Sequence, residues 1–85
     1  MTDTLNIRIR TVAHNIRSIR EHRNYTQEYL AAKLRISQNA YSKIELGYTK
    51  LTIDRLFLIA NILEVDPVEL IKGEFSASLK IINSN

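Results

Sequence analysis

The sequence predicts an all-α domain of five helices, and three observations carry that expectation. Val12, Ile16 and Ile19 form a stripe at helical spacing. Farther on, one pattern recurs four times: an apolar residue, a capping residue, then an apolar residue four positions past the cap. It occurs at Tyr25-Thr26 with Leu30, Ile36-Ser37 with Tyr41, Leu51-Thr52 with Leu56, and Val65-Asp66 with Leu70. Each is the hydrophobic-staple arrangement that marks a helix entrance. Finally, residues 11–73 contain no run with the two-residue period of a strand.

The first helix is expected over 11–23. Upstream, Leu5, Ile7 and Ile9 alternate with polar residues, yet Leu5 and Ile9 also continue the stripe of Val12, Ile16 and Ile19. Residues 1–10 are therefore either an extension of this helix or a basic arm. His14, Arg17 and Ser18 face outward, and Asn24 can take the left-handed conformation that ends a helix. The four staples place further helices at 27–34, 38–45, 53–63 and 67–72. In the last, Pro67 stands at a first-turn position where its missing N–H costs nothing, and Glu69 can complete a capping box with Asp66. Gly47 and Gly73 follow helix ends, where a positive φ is needed. Only Arg35 and Ile36 separate Leu34 from the Ser37 cap. So short a link forces a sharp crossing, the geometry of a helix-turn-helix, and the small Ala31 allows the close approach. Residues 74–85 hold Phe75, Leu79, Ile81 and Ile82 among small polar residues, and read as a strand, a docked tail or a frayed end.

At 85 residues the chain suits one small domain, here 11–73, flanked by 1–10 and the 74–85 tail. It has no cysteine, which excludes disulfides and thiolate metal sites. The sequence has no signal-like apolar stretch at its start and no apolar run near the ~18 residues of a membrane span, so a cytoplasmic, nucleoid-associated protein is expected. Residues 1–43 carry eight Lys/Arg against three carboxylates, net +5, whereas residues 44–85 carry four against six, net −2. A basic half beside an acidic one suits a polyanion on one side.

The stretch Ser37–Glu45 is where that polyanion would be read. Ser37 caps a short helix whose Tyr41 and Ile44 point to a core. Gln38, Asn39, Ser42 and Lys43 occupy the remaining face, with no carboxylate among them. Neutral and cationic hydrogen-bonders of this kind can read base edges in a major groove. The bland alternative is a solvated polar face.

A set of motifs then adds to this reading. Thr26-Gln27-Glu28-Tyr29-Leu30-Ala31, Lys33-Leu34-Arg35-Ile36-Ser37-Gln38, Ser42-Lys43-Ile44-Glu45-Leu46-Gly47, Leu56 with Ile59-Ala60, and Leu63-Glu64-Val65-Asp66-Pro67 stand in order at characteristic spacing. Over residues 11–73 the chain resembles the Cro/phage-repressor helix-turn-helix family, often called Xre. The resemblance implies a five-helix domain, dimeric operator binding and prokaryotic transcriptional control, most readily as a repressor. It implies that Gln38, Asn39, Ser42 and Lys43 face the groove. It also implies that Thr26 and Gln27, at the start of the second helix, and Tyr48, Thr49 and Lys50, after the third, meet phosphates. It places Arg20 and Glu45 on facing helices as a structural ion pair. Two departures stand out. The family usually has Gly where Arg35 stands, so a strained turn is expected, and often a polar residue where Leu46 stands, so one phosphate contact lacks its usual residue.

Other functions find less support. His14 and His22 are about two turns apart on one helix, too far to share a metal, and no Cys or Asp completes a site. No nucleophile–base constellation or Gly-rich phosphate loop is present, so neither catalysis nor a cofactor is expected. Tyr25, Tyr29 and Tyr41 fall at staple or interhelix positions and read as core or boundary residues, not as stacking platforms. The rival class is a protein-interaction module such as an antitoxin-like partner-binding protein. The fourth helix supports it, because Ile53, Phe57, Leu58 and Ile62 add a second apolar face to Leu56, Ile59, Ala60 and Leu63. A homodimer partner is the first expectation for its cover, the 74–85 tail the second and a separate protein the third. Double-stranded DNA is the expected partner throughout, and no membrane.

Overall fold

The computed structural model describes residues 2–72. Five helices follow one another: α1 (Thr2–His22), α2 (Gln27–Leu34), α3 (Gln38–Glu45), α4 (Ile53–Leu63) and α5 (Val68–Ile71). The architecture is all-α, with no strand among the described residues. α1 starts well before Thr11, so residues 2–10 are helical. Leu5 and Ile9 continue the stripe, and no Gly or Pro interrupts it. α5 is a single turn, shorter than the expected 67–72. Asp66 Oδ1 accepts the Val68 N–H at 2.9 Å. The Glu69 carboxylate pairs with Lys72 Nζ at 2.6 Å and makes no capping box. Gly73 and the 74–85 tail lie outside the described residues.

Three of the helices start alike. Thr26, Ser37 and Thr52 have extended backbones, and their hydroxyls accept the N–H groups of Tyr29, Ala40 and Arg55. That satisfies one orphan donor of each first turn. α1 to α4 also finish alike, with a left-handed residue at Asn24 (φ 63°), Arg35 (φ 59°), Gly47 (φ 77°) and Glu64 (φ 60°). At each end two backbone bonds close the turn. The N–H groups of Tyr25, Ile36, Tyr48 and Val65 donate to Arg20, Ala31, Lys43 and Ala60, five residues back. The left-handed residue itself donates three residues back. This is the Schellman closure, which satisfies carbonyls that would otherwise lack partners.

The core is the meeting of the staple residues. Ile16, Leu30, Tyr41, Ile59, Leu63 and Leu70 are fully buried, and together they come from all five helices. Tyr25, Ile36, Leu51, Leu56 and Val65 pack against them from the helix entrances. Burying a Leu or Ile side chain contributes about 1.5–3 kcal/mol, so this cluster outweighs any single polar contact. α2 packs on α3, and α1 holds α5. The Asn15 amide on α1 donates to Leu70 O at 3.1 Å and also to Lys72 O, tying down the short last helix. Ala31 is buried where α2 meets its neighbours. Of the tyrosines, Tyr41 is core, Tyr25 is half-buried and Tyr29 is exposed. The rings of Tyr25 and Tyr29 are 4.7 Å apart, and Lys33 Nζ lies 5.6 Å from the Tyr29 centroid.

Arg35 carries the strain expected of it. Its side chain is exposed and makes no hydrogen bond or ion pair among the described residues. A left-handed non-glycine residue costs about 1–2 kcal/mol, and the greater freedom of glycine in the unfolded chain returns about 0.4–1 kcal/mol of that. Thermal unfolding should therefore show Arg35→Gly melting at or above the wild-type temperature. A clear drop would mean that the arginine side chain contributes more than its backbone costs.

Candidate nucleic-acid interface

α3 is held by its inner face. Tyr41, Ile44 and Glu45 are buried, and Ser37 fixes the first turn. On the other side Gln38, Asn39 and Lys43 are exposed and Ser42 is half-buried. Positions 38, 39, 42 and 43 lie on one face, because a helix returns to the same side every 3.6 residues. None of these four side chains is hydrogen-bonded among the described residues, so their donors and acceptors face outward unpaired.

Glu45 decides how α3 sits. Arg20 grips its carboxylate with two bonds, Nε to Oε2 at 2.6 Å and Nη2 to Oε1 at 3.1 Å. The Tyr41 hydroxyl donates to Oε2, and Gln27 Nε2 donates to Oε1 at 3.1 Å. Arg20 also donates from Nη1 to Tyr25 O at 2.8 Å. One carboxylate thus joins α1, α2 and α3, and the Glu45 side chain is only 2% exposed. Burial pushes the Glu45 carboxyl up, but the hydrogen bonds from Arg20, Tyr41 and Gln27 outweigh it and hold the group below its ordinary value. The bond to Glu45 raises the Arg20 guanidinium in turn. Burial, followed by the bond to Glu45, keeps the Tyr41 hydroxyl protonated far above its usual range.

The phosphate candidates lie on either side of this knot. Thr26 is the α2 cap, with its hydroxyl accepting the Tyr29 N–H at 3.0 Å. Gln27 is half-buried by its bond to Glu45, which leaves its second amide N–H for another acceptor. Past Glu45 the chain leaves α3 through Leu46 and Gly47 into Tyr48, Thr49 and Lys50, all exposed. Leu46, at the position where a polar residue was expected, is also exposed. On α4, Ile53, Phe57 and Leu58 are 69%, 51% and 48% exposed, whereas Ile62 is half-buried against the core. The sequence analysis missed that Tyr41 and Gln27 join the polar knot and that Asn15 holds α5. Tyr41 and Glu45, four apart on one helix, carried a readable signal. Gln27 and Asn15 carried none, since their partners are 18 and at least 55 residues away. No group of three or more His, Cys, Asp or Glu among the described residues could hold a metal ion. No helix among them is long and apolar enough to cross a membrane.

The knot has a measurable consequence. Removing one partner of a buried pair costs about 3–5 kcal/mol, so Glu45→Gln should melt well below wild type. Glu64→Gln, at a surface carboxylate held among the described residues only by the Tyr25 hydroxyl at 3.3 Å, should melt close to it. The pH dependence has a definite sign. A depressed folded-state pKa contributes stability above the unfolded value and loses it as pH falls through the folded one. The difference in stability between wild type and Glu45→Gln should therefore narrow as pH falls below 4.5. Denaturant titrations at neutral and acid pH check both points, and equal melting of the two variants would rule out the knot.

Comparison with known proteins agrees with this geometry. The family model described as helix-turn-helix matches residues 16–70, which include α2, the tight turn and α3. Among curated proteins, the uncharacterized HTH-type transcriptional regulator YqaE of Bacillus subtilis (strain 168) is 37% identical over 62 residues, 73% of this chain and 53% of that protein. The chain spans about half the length of that relative. No solved structure matches. A cap-initiated helix pair with a two-residue crossing, packed inside five helices and matched over most of its length, is the family's unit: the chain belongs to the Cro/C1-type helix-turn-helix family.

Proposed function

We propose that the protein is a small transcriptional regulator that binds double-stranded DNA sequence-specifically, with α3 in the major groove. The observation that carries this reading is the outer face of α3. Gln38, Asn39 and Lys43 project there unpaired, and the helix's one carboxylate is turned inward and neutralised by Arg20. Gln and Asn can bond adenine through two atoms, and Lys can donate to guanine or to phosphate. Ser42 supports them. Thr26 and Gln27 at the start of α2 and Tyr48, Thr49 and Lys50 beyond α3 hold phosphates, which set register without reading sequence. The relative's description as a transcriptional regulator supports the same role.

The protein acts as a homodimeric repressor on a two-fold symmetric operator, with half-sites about 34 Å apart. The exposed Ile53, Phe57 and Leu58 support dimerisation, since a monomer rarely leaves such a patch uncovered. A second reading, an interaction module that binds another protein in the manner of an antitoxin, draws on the same patch.

Binding to a selected site and to random duplex separates these roles. Gln38→Ala should cost about 1–3 kcal/mol at the selected site and little on random DNA. Gln27→Ala should weaken both alike. If Gln38→Ala and Asn39→Ala both leave the ratio of the two affinities unchanged, α3 is not the reading head. Light scattering addresses assembly. Phe57→Glu and Leu58→Glu should give monomers from a dimeric wild type, and a wild type that is monomeric both free and on DNA would refute the dimer.

A further inference from the structure

The helix-turn-helix match begins at residue 16, whereas α1 begins at Thr2. The first 14 residues of α1, 2–15, thus precede the matched unit. From residue 4 to residue 20 this helix carries four arginines and no carboxylate. Arg20 holds Glu45 on α3, and Arg17 holds Glu21 one turn on along α1 at 3.3 Å. Arg10 differs in position. A methyl group built on Gly47 would lie 3.7 Å from Arg10 Cγ, 3.9 Å from Arg10 Cα and 3.8 Å from Ala13 Cβ. Arg10 therefore packs against the turn that leaves α3, immediately before Tyr48, Thr49 and Lys50. Its residue is exposed, and its guanidinium has no hydrogen bond or ion pair among the described residues.

We propose that the extension of α1 is a second grip on the DNA backbone, in which Arg10 contacts a phosphate next to those held by the loop after α3. This deepens the DNA-binding reading and rests on it. The physical case is additive charge at one edge. Arg10 lies beside the loop that carries Lys50, and no carboxylate occurs from residue 46 to residue 52. A duplex carries one negative charge about every 1.7 Å of its axis, so a cation placed at the edge of a bound surface meets a phosphate without any special sequence. The helical setting adds rigidity. Arg10 is held on a continuous helix, with its Cα and Cγ against the Gly47 turn, so the backbone that carries the guanidinium needs no ordering on binding. Leu5, Ile9 and Val12 of α1 line, together with Leu51, Ile53 and Leu56, a groove of about 430 Å³ beside the same loop.

The test is the salt dependence of binding to a random-sequence duplex longer than two helical turns. Each phosphate contact contributes about 0.9 to the slope of log affinity against log salt. Arg10→Ala should lower the slope by that amount, so its deficit against wild type should shrink about 3.5-fold between 50 and 200 mM salt. The ratio of selected-site to random affinity should not change, Arg10→Lys should retain the wild-type slope, and the melting temperature of Arg10→Ala should match wild type. Arg17→Ala is the control, because Arg17 is paired to Glu21 and stands about two turns farther along α1 than Arg10. An Arg10→Ala slope equal to wild type overturns the proposal, as does an equal fall in Arg17→Ala, which would show a general charge effect. Wild-type binding at low salt with an unchanged Arg10→Ala slope removes this inference alone. Failure of wild type to bind duplex at low salt removes the DNA-binding reading and the proposal with it.

Discussion

The buried carboxylate of Glu45 is the interaction on which the rest of the arrangement depends. An ionised acid taken out of water is tolerated only when its oxygens are filled by donors. Here four hydrogen bonds fill them, two from Arg20 and one each from Tyr41 and Gln27. Each donor comes from a place whose position matters: Arg20 from the last turns of α1, Gln27 from the first turn of α2, and Tyr41 from the inner face of α3. Apolar attraction holds α3 to its neighbours but has no direction of its own. A bidentate guanidinium–carboxylate pair has directional bonds that restrict such motion. The same knot gives the outer face its character. The one acid on α3 becomes an internal ligand, and what projects outward is neutral or positive.

A second economy lies in the connections. Asn24-Tyr25-Thr26, Arg35-Ile36-Ser37 and Glu64-Val65-Asp66 are one device used three times. The first residue is left-handed and closes the preceding helix, the second is apolar and enters the core, and the third is a side-chain acceptor that opens the next helix. Because one apolar residue both ends one helix and staples the next, the crossing angle and the burial are set together. The α2–α3 instance is what turns two ordinary amphipathic helices into a helix-turn-helix.

Much of this was legible in the sequence, for identifiable reasons. The bounds of α2, α3 and α4 followed from caps and staples, which are local chemistry. The pairing of Arg20 with Glu45 came from the family resemblance, since 25 residues separate them and no local pattern connects them. Residues 2–10 were ambiguous because alternation and helical spacing coexist over so short a span. Helix prevailed there because the stripe runs on into Val12 and Ile16. Glu64 is left-handed although nothing in a glutamate signals it. The double closure onto Ala60 and Asn61 imposes the conformation. Gln27 read as a phosphate contact at the start of α2, and only tertiary contact shows it bonded to Glu45 as well. Ile62 read as part of an open apolar face, but half of it is turned to the core. A helix with apolar residues on several sides does not reveal from spacing alone where its seam lies.

The connection between α3 and α4 departs from the three-residue device. Residues 46–52 form the longest non-helical stretch among the described residues, and Tyr48 within it is 78% exposed. A proteolytic enzyme needs several consecutive residues of accessible, extendable backbone. The three-residue turns do not offer that, because their middle residues are anchored in the core. Cleavage by a trypsin-like enzyme at Lys50 would divide the chain between its recognition half and α4–α5, leaving the Glu45 knot whole on one fragment. That knot joins only α1, α2 and α3. The halves would then be held together by the apolar core and by a few neutral or surface hydrogen bonds, those of Asn15 to Leu70 and Lys72 and those of Arg23 and Tyr25 to Glu64, with no buried ion pair across the seam.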